Sequence, residues 1–200
     1  MENLKNFDIS ENPIETFNNW FEKAKTLDEY ADAFALATAG ADGDVSVRYL
    51  LFKGLLDEKL SFYTNYNSSK AKQLDENPRA SMAFFWRNFG RQIRVTGSVT
   101  RMEMENSRNY FNSRARDSQI ASYLSNQSEV ISDKETLLKT HADISSEFEG
   151  KDIPYPTNWG GYLVEPLEIE FFIYGEHRLN DRILFKRESS GSWKSVRLQP

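Results

Sequence analysis

From residue 33 onward the chain breaks into short runs of β-branched and aromatic residues separated by turn chemistry such as Ala41-Asp42-Gly43-Asp44 and Asp57-Glu58-Lys59. Apolar and polar side chains alternating over so few residues suit half-buried strands, and tight turns between such runs join antiparallel neighbours. Strands are expected near residues 33–39, 44–53, 59–65, 79–87, 90–102, 159–174, 181–187 and 192–198. Eight strands of this kind suggest a barrel. Helical spacing interrupts the pattern near 68–76, 103–113, 117–124 and 132–149, the last ended by Gly150 ahead of Pro154-Tyr155-Pro156. The expected class is α+β, mainly antiparallel β with flanking helices.

Residues 1–11 are polar and read as a loose, flexible N-terminal segment. Asn12-Pro13 then offers an N-cap and a first helical residue, and Ile14, Phe17, Trp20, Phe21 and Ala24 form an apolar stripe. No linker or repeat divides residues 12–200, and 200 residues at 39% hydrophobic content suit one domain with one core. The formal charge of −5 argues against nucleic acid or membrane as partners, so an anionic ligand must meet a local basic cluster. Without cysteine there are no disulfides or thiolate chemistry, and redox work needs a borrowed cofactor. The start MENLKNFDIS has no signal-peptide pattern and no eighteen apolar residues run together, which reads as a soluble, cytoplasmic protein. Two histidines, His141 and His177, are too few and too far apart for a three-ligand zinc site with Glu176, and a Ser-His-Asp triad is equally unexpected.

Four clusters carry candidate chemistry. Arg48 and Lys53 flank an apolar strand, five residues apart, where alternation points them to opposite faces unless a bulge or strand end intervenes; two solvated charges are the plain alternative. In FYTNYNSSKAKQL (62–74) a strand ends at Tyr63-Thr64 and a helix opens near Ser68 with Lys70 in its first turn, which suits a phosphate as well as ordinary capping. Residues 110–128 gather Tyr110, Arg114, Ser118, Gln127 and Ser128. If one helix ran through Tyr110, Arg114 and Ser118 they would share a face and clamp a second phosphate, unless that face is merely solvated. Finally, GEHRLNDRILF (175–185) places Arg178, Asp181 and Arg182 around a turn between strands.

Together these stretches, with RQIRVTG (91–97), WGGYLVEPLEIEFF (159–172) and HRLNDR (177–182), resemble the pyridoxine/pyridoxamine 5'-phosphate oxidase family from about Pro13 to Pro200. The resemblance implies a split β-barrel that binds flavin mononucleotide (FMN) at the interface of a homodimer. It further implies oxidation of pyridoxamine or pyridoxine 5'-phosphate to pyridoxal 5'-phosphate, by hydride transfer from C4' to flavin N5 with O2 as final acceptor and H2O2 as by-product. By the same likeness Arg48, Lys53 and the backbone of Tyr49, Leu50, Leu51 and Phe52 would lie along FMN. Tyr63, Thr64, Ser69 and Lys70 would complete its phosphate and ribityl site, Gln92, Phe172 and Arg182 would meet the flavin, and Gln127 and Ser128 would come from the partner subunit. Lys53, Tyr110, Arg114 and Ser118 would hold the substrate phosphate, and Arg178 with Asn180 would position the substrate ring over the flavin.

This sequence departs from the family pattern at Ser69, where an arginine is usual, at Phe172, where a tryptophan is common, and at Asn180, where HRLHDR has histidine. The basic segment that some members fold over the site has no counterpart in residues 1–11, so no lid is expected there. Two alternatives share the scaffold: a phenazine-pathway flavin oxidase, in which the Arg114-Ser118 box is not expected, and a noncatalytic protein that binds flavin or vitamin B6.

Overall fold

The computed structural model describes residues 8–200, so the expectations for residues 1–7 lie outside the described residues. Residues 8–11 depart from the loose segment expected of them: Ile9 is buried in the main core and the Ser10 amide donates to Thr16 Oγ1 at 2.8 Å. One apolar side chain in a polar stretch is enough to anchor it. Asn12 Oδ1 accepts the Ile14 amide at 2.9 Å and caps helix α1 (Pro13–Lys25). Its stripe enters the core, where Phe17 meets Phe52 and Phe84 edge-on and Trp20 meets Phe171; each large side chain so buried contributes roughly 1.5–3 kcal/mol.

Nine strands follow, all paired antiparallel: β1 (Ala33–Ala39), β2 (Val45–Leu51), β3 (Leu55–Leu56), β4 (Lys59–Asn65), β5 (Arg79–Trp86), β6 (Arg91–Arg101), β7 (Trp159–Ile173), β8 (Asp181–Arg187) and β9 (Trp193–Leu198). The two-residue β3 is the strand that the eight expected ones lack. Hydrogen bonding runs β2-β1-β5-β6-β7-β4-β3, and β7 is long enough to pair with β4 at its start and β8 at its end. The sheet curls back on itself because the Lys53 amide donates to Ser61 O and the Ser61 amide to Gly54 O, at 2.9 and 3.0 Å, tying the exit of β2 to β4. A bulge in β7 at Leu167 sets the curvature: Gly97 faces Pro166 and Thr96 faces Glu168. The two backbones approach so closely there that a Cβ on Gly97 would sit 2.1 Å from Glu165 O.

Helices α2 (Ser69–Glu76), α3 (Met104–Ser113), α4 (Arg116–Leu124) and α5 (Lys134–Glu147) flank the sheet. A second, small core of Phe111, Ile120, Ile153 and Trp159 joins α3 and α4 to the start of β7. The expected single core is thus two, because these helices bury their own apolar side chains beside the barrel. On the sheet's outer face Val45, Val47, Tyr49, Leu51 and Phe85 are exposed, and Tyr49 keeps 79% of its surface. No helix among the described residues is long and apolar enough to cross a membrane, and no group of three metal-ligating side chains occurs among them.

Candidate active site

The end of β4 delivers Thr64 to the first turn of α2, where Lys70 is buried at 6% exposure. Its Nζ donates to Thr64 Oγ1, Ser68 Oγ and Gln127 Oε1 at 3.1, 3.2 and 2.9 Å, and the Ser69 amide donates to Ser128 Oγ at 3.3 Å. Gln127 and Ser128 were expected from a partner subunit; they reach this chain's own α2 instead. Asn65 Nδ2 fixes that segment through Ser125 O at 2.7 Å, across 60 residues of sequence. Arg48 stands nearby on β2, donating to Thr38 Oγ1 and Ser46 Oγ at 2.6 and 2.5 Å. Gln73 of α2, which sequence reading did not single out, accepts from both of those hydroxyls. Its place three residues after Lys70 was the available signal.

No carboxylate pairs with Arg48 or Lys70 among the described residues. Burial, and then the neighbouring Arg48, hold the Lys70 ammonium down to about 8, and burial lowers Arg48 as well. Unneutralised cations, hydroxyls and a helix N-terminal amide gathered in one place are the chemical types that suit an anion.

A second cluster gathers around Arg114, built differently from the expected helical face. Helix α3 ends at Ser113, and Arg114 is its C-cap with extended backbone at φ −77° and ψ 154°. Tyr110, Arg114 and Ser118 therefore do not ride on one helix. The break is made by Gln119, whose Nε2 donates to the carbonyls of Phe111, Asn112 and Arg114 and satisfies the end of α3. Trp159 reunites two of the three: Arg114 Cζ lies 4.8 Å over its ring and Tyr110 packs parallel to it at 6.3 Å. Tyr63, expected beside the FMN phosphate, stacks on both Tyr110 and Trp159 at 3.9 and 5.2 Å and donates to Met102 Sδ. Burial and the neighbouring tyrosines push its hydroxyl up to about 12, so it stays a neutral donor. Ser118 lies in the first turn of α4. Lys53, past the end of β2, pairs with Asp32 Oδ2 at 3.1 Å.

Gln92, Phe172 and Arg182 are direct neighbours across β6, β7 and β8 on the outer face. Arg182 Nε donates to Glu170 Oε1 at 2.8 Å, and Arg94 also pairs with that buried carboxylate. Burial pushes the Glu170 carboxyl up, but the bonds from Arg182 and Arg94 outweigh it and hold the group below its usual range. At the turn after β7, His177 and Arg178 both take left-handed backbone, φ 55° and 64°. Asn180 Oδ1 accepts the Gly175 amide at 3.2 Å, so its side chain fastens the turn. Tyr49 and Leu51 point outward, Leu50 and Phe52 inward, and among the described residues the far edge of β2 carries no further strand.

Residues 21–146 match the family model described as pyridoxamine 5'-phosphate oxidase, and residues 159–200 that of the pyridoxine 5'-phosphate oxidase C-terminal dimerisation region. A pyridoxine/pyridoxamine 5'-phosphate oxidase of Leptospira interrogans is 40% identical over 194 residues, covering 96% of this chain and 91% of its own. That of Rubrobacter xylanophilus is 43% identical over 189, covering 94% and 87%. Among solved structures, PhzG from Burkholderia lata in complex with tetrahydrophenazine-1-carboxylic acid superposes with a TM-score of 0.91 at 30% identity, covering 100% of this chain and 98% of its own. A pyridoxamine 5'-phosphate oxidase-related, FMN-binding protein of Nostoc punctiforme shares the fold at 19% identity, with a TM-score of 0.76 over 93% of this chain and 96% of its own.

Proposed function

The chain belongs to the pyridoxamine 5'-phosphate oxidase family, and from that premise we propose that it is a homodimeric FMN-dependent oxidase converting pyridoxamine or pyridoxine 5'-phosphate to pyridoxal 5'-phosphate. One observation carries the reading: Lys70 and Arg114 are partly or wholly buried cations, gathered around the consecutive β4 residues Thr64 and Tyr63, and neither is paired with a carboxylate among the described residues. Two such cations suit two phosphate monoesters, one on the cofactor and one on the substrate.

The residues fit FMN. Lys70, Thr64, the Ser69 amide and Arg48 would hold its phosphate, with Gln127 and Ser128 closing the pocket from the same chain. Lys70 also fits the place left by an absent arginine at Ser69, since its ammonium already faces the hydroxyls there. Bound FMN supplies the hydride acceptor for C4' and the route of electrons to O2. Arg48 and the Gln92, Phe172, Arg182 row lie on opposite faces of one chain's sheet, so a single flavin meets both only between two copies. For the substrate, Tyr110, Arg114 and Ser118 grip the phosphate and Arg178, held by its turn, comes from the other copy to orient the ring. The protein's share in catalysis is this orientation.

The test is FMN-loaded protein given each phosphorylated vitamer, with aldehyde and peroxide followed together. Arg114→Ala should raise the substrate KM by about tenfold to a hundredfold and leave FMN content unchanged; equal loss of both would overturn the assignment. The fold match with PhzG supports a second reading as a phenazine oxidase. That reading predicts turnover of the phosphate-free tetrahydrophenazine-1-carboxylic acid and none of the phosphorylated vitamers.

A further inference from the structure

Position 122 is a buried place on α4, at 9% exposure and two residues from the fully buried Ile120. Such a position ordinarily takes an apolar side chain. Here it is a serine, and its Oγ accepts from Arg114 Nη1 at 2.6 Å. Arginine carries five N–H donors on a long, rotamer-rich stem. Ser122 takes one of these donors, the Trp159 ring supports the plane of the guanidinium, and the backbone of Arg114 is fixed at both ends, by its own amide on Phe111 O and by Gln119 on its carbonyl. The other donors on the guanidinium remain for a ligand. Ser118 stands one turn before Ser122 and so on the same face of α4.

We propose that Ser122 is a positioning residue of the substrate-phosphate clamp: its hydroxyl fixes the Arg114 guanidinium before the ligand arrives, so that less side-chain freedom is lost on binding. This rests on the reading of Arg114 as the substrate's phosphate ligand. The effect is confined to ligands with a phosphate, whereas a hydroxyl that merely joined α3 to α4 would affect every substrate alike.

The experiment compares Ser122→Thr with Ser122→Val in the FMN-loaded protein. Both add the same bulk and only threonine keeps a hydroxyl, so any difference reports the hydrogen bond. Ser122→Val should raise KM for pyridoxamine 5'-phosphate and weaken competitive inhibition by inorganic phosphate, each by about tenfold relative to Ser122→Thr, with the loss in KM rather than kcat. Turnover of unphosphorylated pyridoxamine should be the same in both. In an Arg114→Ala background the Thr/Val difference should vanish. If Arg114→Ala itself leaves KM and phosphate inhibition untouched, the underlying reading fails. If Arg114→Ala acts but the Thr and Val proteins behave alike, or their difference survives without Arg114 or extends to pyridoxamine, the role of Ser122 is overturned.

Discussion

Lys70 sets burial against charge more sharply than any other side chain at the site. Its folded pKa of about 8 lies below the ordinary 10.5, so between those values the unfolded chain binds more protons than the folded one. Stability of the flavin-free protein therefore rises as pH climbs through that window. A phosphate beside the ammonium reverses the preference and draws the proton back. FMN affinity should then fall as pH rises above 8, by at most about tenfold per unit, which fluorescence quenching of free flavin between neutral pH and the upper end of that window will show; a flat profile would count against an ammonium–phosphate contact. Lys70→Met should raise the melting temperature of the flavin-free protein by about 2–4 °C, because an uncompensated buried cation is removed. The same change should weaken FMN binding by about tenfold to a hundredfold. Sequence alone made the donor types around Lys70 legible, but not Gln73 or Ser122, since neither belongs to a motif and each acts through a partner chosen by packing.

At the scale of elements, the strands were readable because period-two alternation and turn residues are written locally. The α3–α4 break was not. No glycine or proline lies between Tyr110 and Leu124, and the helix ends because a glutamine side chain from the next element takes its last carbonyls. The β7–β8 turn is another such case: two successive left-handed non-glycine residues cost about 1–2 kcal/mol each, and the surrounding bonds hold them. A Cβ on Gly175 would meet Leu179 O at 2.2 Å, backbone against backbone. Gly175→Ala should therefore open the turn and displace Arg178, lowering kcat/KM by about tenfold or more while the Lys70 pocket still retains FMN. Unchanged kinetics would show that the turn does not position the substrate.

For the whole molecule, the outer sheet face is the feature that a single chain leaves unexplained. Val45, Val47 and Tyr49 stand in the open beside a recess of about 380 Å³ floored by Ala35, Ala37, Ser81 and Ala83. An apolar area of this kind on one face is what a subunit interface needs, and the match to a dimerisation region covers strands of that face. Val47→Asp combined with Tyr49→Asp should yield monomers in sedimentation velocity and lose FMN together with the dimer; a dimer that persists would place the interface elsewhere.

Pattern and turn chemistry determined the class of fold, the number of α-helices and the position of every strand longer than two residues among the described residues, and the residue types around Lys70 and Arg114. These are properties of neighbours along the chain, set by backbone sterics and side-chain period. Which groups meet was decided only by tertiary packing: Lys70 with Gln127 and Tyr63 with Trp159 are joined across distances in sequence over which no local preference reaches. The lowest free energy of the folded chain depends on the sum of burial over both cores, and that sum selects the pairs.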